Sequence, residues 1–386
     1  MFQETVDAGS ALLTNEEKRV QAYKDGIKPT IPNLVTQHTP LEALNLNWTE
    51  KDLPERERTK HVHRLHPYLG KYIPQLVEVF LRKYFKPGQT VLDPFCGSGT
   101  TLVQANELGI KSLGFDISAF NVLLCNVKTA DYEIKELKKE AITLLERVKE
   151  ELIREDFSID SFAYSKQGCL SFTTGNSYLT EWFAEPALKE LLIYKHFLND
   201  FKYKDVFKVI LSRSARSARL TTHFDLDFPK KPQLEPYHCY KHNRTCQPTS
   251  NALKFLERYT LDTINRIIEF SKIRTSSLVE IRLADSRYAE FEAVDGLITS
   301  PPYVGLIDYH DQHKYAFQLL ELNDNSQFEI GPAKKGASLK AREEFVSNLA
   351  AVFKNAASRI KEGGKMVIIA GEKAGVYPEI ENRAGL

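Results

Sequence analysis

Thr90-Val91-Leu92-Asp93-Pro94-Phe95-Cys96-Gly97-Ser98-Gly99-Thr100-Thr101 runs from an apolar stretch through a two-glycine turn into a helix-forming segment. Lys86-Pro87-Gly88-Gln89 breaks the chain just before it, so Thr90 to Leu92 reads as a buried strand. Gly97-Ser98-Gly99 at a strand-to-helix turn lets the backbone approach a ligand closely, and the helix N-terminus beyond it favours negative charge. The spacing predicts a helix over 101–108 that stops at Gly109, then a second strand from Lys111 to Phe115 ending on Asp116. That is one β-α-β unit, whose right-handed crossover requires a parallel sheet.

The pattern extends in both directions. Pro74 to Tyr84 suits an amphipathic helix, and residues 1–60 are polar and weakly periodic, an N-terminal extension of helices and linker. After Asp116 the α/β alternation lapses. Helical patterns at 134–149, 188–198 and 251–270 bracket an irregular basic segment containing Ser212-Arg213-Ser214-Ala215-Arg216-Ser217-Ala218-Arg219. Alternation resumes with Val279 to Leu283, Gly296 to Thr299, a helix from about Glu343 to Ile360, and a strand from Lys365 to Ala370. The fold expected is α/β, a doubly wound sheet interrupted by a large, mainly helical insertion. Four regions follow: 1–60 as extension, 61–130 and 276–386 as two halves of one sheet domain, and 131–275 as an inserted lobe.

Bulk composition excludes several classes. A chain of 386 residues that is 42% hydrophobic and 27% charged, with mean hydropathy −0.35, is an ordinary globular protein. No apolar run reaches the length needed to span a bilayer, and the start lacks the order of a signal peptide. Five cysteines without a CxxC pair fit a reducing cytoplasm. Net charge is only +1, yet between Phe201 and Ser250 basic residues outnumber acids ten to four. One basic face on a neutral protein suits phosphate binding; a solvated face is the plainer alternative.

A second signature lies far downstream. Thr299-Ser300-Pro301-Pro302-Tyr303 closes the apolar strand Leu297-Ile298-Thr299. Ser300 Oγ and the Pro301 carbonyl can accept both hydrogens of a planar amine. The prolines fix backbone direction and remove competing donors, and Tyr303 offers a ring for stacking. An aromatic amine so held has its nitrogen drawn toward tetrahedral geometry and aimed at an electrophile.

Together the two signatures resemble the S-adenosylmethionine-dependent amino-methyltransferases of DNA, and the serine form of the cup resembles the branch acting on the N4 amine of cytosine. The resemblance implies a Rossmann-like methyltransferase fold, S-adenosylmethionine as methyl donor and no metal. It implies that Asp93, Pro94, Phe95, Gly97, Gly99 and Thr100 hold the cofactor with Asp116 and Ile117, the carboxylate accepting the ribose hydroxyls. Asp116 would otherwise simply form a turn before Ser118. His66 to Pro74, with Tyr72, resembles the motif beside the methionine end of the cofactor. Asp285, in Leu283-Ala284-Asp285-Ser286-Arg287, resembles the acid that reaches toward adenine; it could equally cap its own turn. Ser300, Pro301, Pro302 and Tyr303 take the catalytic positions, with the base flipped out of its duplex. Adenine enzymes usually carry Asp first in that motif. Methylation at carbon 5 needs a Pro-Cys nucleophile, and none occurs.

The order of the motifs resembles arrangements in which a DNA-reading lobe interrupts the sheet, which implies that the insertion is the target-recognition lobe, with Arg213, Arg216, Arg219, Lys230 and Lys231 facing double-stranded DNA. Arginines spaced by three could instead be a solvated helix face. His238, Cys239, His242 and Cys246 match no standard pair-plus-pair metal spacing, so a structured loop with Tyr237 and Tyr240 is expected there. The chain stops soon after its last strand, so the expectation is either a split enzyme whose sheet a second chain completes or a truncated product. The implied activity is site-specific cytosine-N4 methylation, with a restriction endonuclease as possible partner. Alternatives are adenine or guanine amino-methylation of DNA or RNA, and a DNA-binding half that is inactive alone.

Overall fold

The computed structural model describes residues 28–160, 172–226, 229–303, 305–336, 338–371 and 375–386. Among these, five parallel strands form one sheet: β1 (Thr90–Asp93), β2 (Lys111–Asp116), β5 (Val279–Leu283), β6 (Val294–Thr299) and β7 (Ile360–Ile368). Their spatial order is β5-β2-β1-β6-β7. The chain therefore winds outward from β1 through β2 to β5, returns, and winds the other way through β6 to β7. The reversal lies between β1 and β6, where such sheets open a crevice beyond the carboxyl ends of the strands. Leu92, paired with both Leu113 and Leu297, marks the buried centre. The doubly wound architecture expected from the sequence is present.

Helix α1 (Pro74–Tyr84) packs against the sheet through Val77 and Leu81, and α2 (Thr100–Glu107) follows the glycine turn. Segment 28–60, expected as helix and linker, forms short turns and a one-turn helix at Glu55–Arg58. It is tied down by Thr30 N to Asn45 O (2.9 Å) and Gln37 Nε2 to Phe85 O (3.3 Å).

The long β2-to-β5 crossover carries α3 (Ala119–Thr129), α4 (Ile134–Asp160), α5 (Ser177–Trp182), α6 (Glu185–Phe197), α7 (Lys204–Ala218) and α8 (Leu253–Ser271). A two-stranded antiparallel hairpin, β3 (Tyr237–Cys239) with β4 (Arg244–Cys246), sits between α7 and α8. These helices share one apolar core with α9 (Lys314–Leu320). Phe120, Leu144, Leu191, Phe207, Ile267 and Phe317 all belong to it. Each such side chain contributes roughly 1.5–3 kcal/mol by leaving water, so the described helices of the insertion are anchored by packing.

The segment Ser212 to Ala218, expected as irregular, is the last two turns of α7. Small residues let the helix pack tightly, and Ser214 Oγ returns its hydrogen bond to Ile210 O at 2.8 Å. Beyond the cup, α10 (Leu339–Ala357) leads into β7, which begins at Ile360, five residues earlier than expected, across a register shift opposite Val294 and Gly296. Finally α11 (Tyr377–Ala384) packs on α10, and Arg383 pairs with Glu343. No helix among the described residues is long and apolar enough to cross a membrane.

Candidate active site

At the switch point a cleft of about 870 Å³ opens over the ends of β1, β2, β5 and β6. The cleft brings both signatures together: Pro94, Phe95, Gly97 and Thr100 line it from the first, Ser300 and Pro302 from the second. Tyr72, Asp116, Ile117 and Asp285 line it too.

The glycine turn explains itself sterically. Gly97 has φ 48°, and a Cβ there would stand 3.1 Å from the Tyr68 hydroxyl; Gly99 has φ 78°, and its Cβ would meet Cys125 Sγ at 2.9 Å. Any side chain would close the cradle from below. Ser98 Oγ, buried in the same turn and lining the cleft, has no hydrogen-bond partner among the described residues. Beneath the turn, Lys128 Nζ donates to Ser98 O at 2.6 Å, and burial pushes its pKa down to about 7.

Asp116 lines the cleft and also makes the turn-forming bond that the sequence allowed. Its Oδ1 accepts Ser118 N at 2.8 Å, a turn-forming bond, while Oδ2 accepts Gly97 N at 2.9 Å and Asn121 Nδ2 lies 3.2 Å from each oxygen. Burial raises its pKa to about 6 in spite of these donors. Asp285 is likewise double: it lines the cleft, accepts Arg287 N at 3.0 Å and is gripped by the Arg287 guanidinium, with Nε at 2.9 Å.

Not every expected residue faces the cleft. Asp93 lies beneath it, fully buried, receiving Thr299 Oγ1 (2.7 Å), Tyr72 OH (3.1 Å) and Phe95 N (3.2 Å). Gly99, Pro301 and Tyr303 are also absent from the lining. The Tyr303 ring is turned toward Gly371, and its backbone is hydrogen-bonded to the Tyr309 hydroxyl. Ser300 is half-buried and its Oγ makes no hydrogen bond among the described residues.

Other cleft residues carry no role of their own in the sequence, although Tyr68 and Lys71 fall within the His66-to-Pro74 motif. Tyr68 stacks on His313 with centroids 5.4 Å apart, and its hydroxyl accepts from Asn121 Nδ2 at 3.2 Å. Lys71 lines the wall, its pKa drawn down to about 8 by burial and by Arg64. His310 and Glu329 form a buried pair: Glu329 Oε1 accepts both the His310 backbone N (2.8 Å) and its Nδ1. His310 Nε2 has no partner among the described residues. The spacing of a cleft histidine and a loop glutamate carries no signature that a single sequence could reveal.

The basic residues divide sharply. Arg213 is buried against Asp262 (Nη1 to Oδ2, 2.5 Å) and the Tyr259 ring. Arg219 is buried too, donating to Leu226 O at 2.7 Å and lying over Tyr315. Arg216 is half-buried, whereas Lys230 and Lys231 are exposed. Apart from the cleft, His223, Cys239, His242 and Cys246 converge with their ligating atoms within 4.8 Å of one another. His238 is not among them; its ring lies on Tyr240.

Comparison with known proteins agrees with this geometry. The family model for N6/N4 DNA methylases matches residues 11–125. Type II methyltransferase M.MjaII of Methanocaldococcus jannaschii is 38% identical over 404 residues, covering 86% of this chain and 76% of its own length. Type II methyltransferase M.BsoBI of Geobacillus stearothermophilus is 24% identical over 75% of this chain and 59% of its own length. M.MvaI of Kocuria varians is 25% identical over 62% and 53%. With the glycine turn and the serine cup meeting in one cleft and this likeness running through most of its length, the chain belongs to the N4/N6 DNA methylase family.

Proposed function

We propose that this protein methylates the exocyclic N4 amine of cytosine at a specific site in double-stranded DNA, as the modification member of a restriction–modification pair. The observation that carries the reading is Ser300: a hydroxyl, free of other partners among the described residues, heads the cup inside the cleft that holds Gly97 and Asp116. The match to the DNA methylase family model and the likeness to Type II methyltransferases support a DNA substrate.

Bound S-adenosylmethionine supplies the electrophilic methyl carbon. The glycine cradle, the partnerless Ser98 hydroxyl and the carboxylates ending β2 and β5 suit its charged and hydroxylated parts. Asp116 accepts ribose hydroxyls; Phe95 and Ile330 offer apolar walls to a base. Ser300 Oγ and the Pro301 carbonyl take the two amine hydrogens, so that the nitrogen lone pair leaves conjugation and points across the cleft. When the N–C bond forms at the expense of the donor's S–CH3 bond, leaving a neutral thioether, the nitrogen sheds one proton. His310 is the only imidazole lining the cleft among the described residues, and its Nε2, backed by Glu329, receives that proton directly or through water. Adenine enzymes usually carry Asp where Ser300 stands, although serine can also serve adenine, so the methylated base itself decides between the two readings.

The test is methyl transfer by the purified chain from labelled donor to duplex DNA, with RNA as competitor. Label in DNA, and a loss of roughly 10²-fold in Ser300→Ala with cofactor affinity unchanged, are the expected results. Label in RNA alone would overturn the reading.

A further inference from the structure

We propose that His223, Cys239, His242 and Cys246 form a structural zinc site that pins the β3–β4 hairpin to the loop leaving α7. This quartet differs from the one the sequence suggested, because His223 lies sixteen residues upstream of Cys239 and only the fold brings it in.

Distances support a metal over mutual hydrogen bonding. His242 Nδ1 lies 3.5 Å from Cys239 Sγ and 3.5 Å from Cys246 Sγ, and His223 Nδ1 lies 3.6 Å from Cys239 Sγ. With zinc bonds of about 2.3 Å to sulfur and 2.05 Å to nitrogen, a tetrahedron has S-to-N edges of about 3.6 Å. All three separations match that edge. Hydrogen bonds alone cannot account for them: one imidazole nitrogen holds either a single proton or a single lone pair, so it cannot serve both sulfurs. Two sulfur and two nitrogen ligands in a tetrahedral arrangement select zinc over the harder cations.

The hairpin is built to present these ligands. Antiparallel pairing sets Tyr237 opposite Cys246 and Cys239 opposite Arg244, so both buried thiols fall on one face. Asn243, with φ 48°, turns the tip, and His242 N closes it on Cys239 O at 3.1 Å. His223 is fixed independently, its backbone N donating to the Tyr237 hydroxyl at 3.0 Å. A hairpin of three residues per strand is too short to persist in water unaided. Zinc would supply the missing cross-link between two segments joined by a long loop, and so hold Tyr240, Lys241 and Arg244 on an exposed tip.

Elemental analysis of the full chain, purified under reducing conditions without chelator, is expected to give about one zinc per chain. After the zinc is stripped, cobalt(II) chloride is expected to produce the visible bands of a tetrahedral thiolate complex. Cys239→Ser, Cys246→Ser and His223→Ala each bring zinc to background, while His238→Ala retains it. Because the cysteine variants can misfold, the cobalt spectrum of the unaltered protein stands as a separate test. The proposal is overturned if the protein, with its thiols shown intact by mass, takes up neither metal. Zinc that survives the His223→Ala/Cys246→Ser double change, or a Cys239–Cys246 disulfide in reduced preparations, also overturns it.

Discussion

Thr299 Oγ1 donates a 2.7 Å hydrogen bond to Asp93 Oδ1 across 206 residues of chain, joining the tip of β6 to the tip of β1. The glycine turn and the serine cup each begin at one end of this bond, so it fixes the distance between the cofactor cradle and the amine acceptors. Thr299→Val keeps the shape and removes the donor. It is expected to lower stability by about 1–3 kcal/mol in denaturant titration, and to depress methyl transfer more than cofactor affinity. Unchanged transfer in a correctly folded variant would show that the bond does not position the cup.

Asp116 gives the site a pH dependence with a definite sign. Burial holds its folded pKa at about 6, above the ordinary 3.8, so the folded protein keeps a proton that the unfolded chain has already released. The associated stability is complete below about pH 4 and is lost as pH rises through about 6. Cofactor binding runs the other way, because only the carboxylate accepts two hydroxyls freely. Calorimetry is expected to show affinity falling several-fold as pH drops from 7 to 5, with Asp116→Asn weak and nearly flat over that range. A pH-independent affinity in the unaltered protein would contradict this role.

Much of the fold was legible because short-range signals agreed: a breaker at Pro87-Gly88, a buried strand, a glycine turn and an acid closing the next strand. The crossover was harder. Arg213 and Arg219 look like a surface stripe in sequence, yet Asp262, Tyr259 and Tyr315, remote along the chain, draw both guanidiniums inside. The cleft wall was only half readable for the same reason. Glycines and prolines announce backbone demands locally, but His310, Glu329, Tyr68 and Asn121 acquire meaning only from neighbours the fold supplies. Tyr303, assigned to stacking by resemblance, stands outside the cleft lining in this conformation.

Internal and exposed cations separate two kinds of loss. Lys230→Ala with Lys231→Ala should leave folding intact, weaken DNA binding, and reduce the slope of log affinity against log salt by about two. Arg213→Ala breaks a buried pair and should cost roughly 3 kcal/mol of stability with little change in that slope. Salt titrations of DNA binding beside urea melts distinguish these outcomes. A large slope change in Arg213→Ala would mean that its guanidinium reaches phosphate.

If His310 receives the released proton, His310→Ala should slow the chemical step by about 10²-fold in single-turnover assays. Donor binding should be nearly unaffected, and Glu329→Gln should give a smaller loss of the same kind. Equal loss of donor affinity in both variants would assign the pair to shaping the cleft.

The central claim, that Ser300 and its prolines present a cytosine amine to the methyl donor, is tested most directly by enzymatic digestion of DNA modified by the purified chain and mass analysis of the nucleosides. N4-methyl-2′-deoxycytidine as the sole methylated product, absent with Ser300→Ala, is the predicted result. N6-methyl-2′-deoxyadenosine in its place would contradict the account.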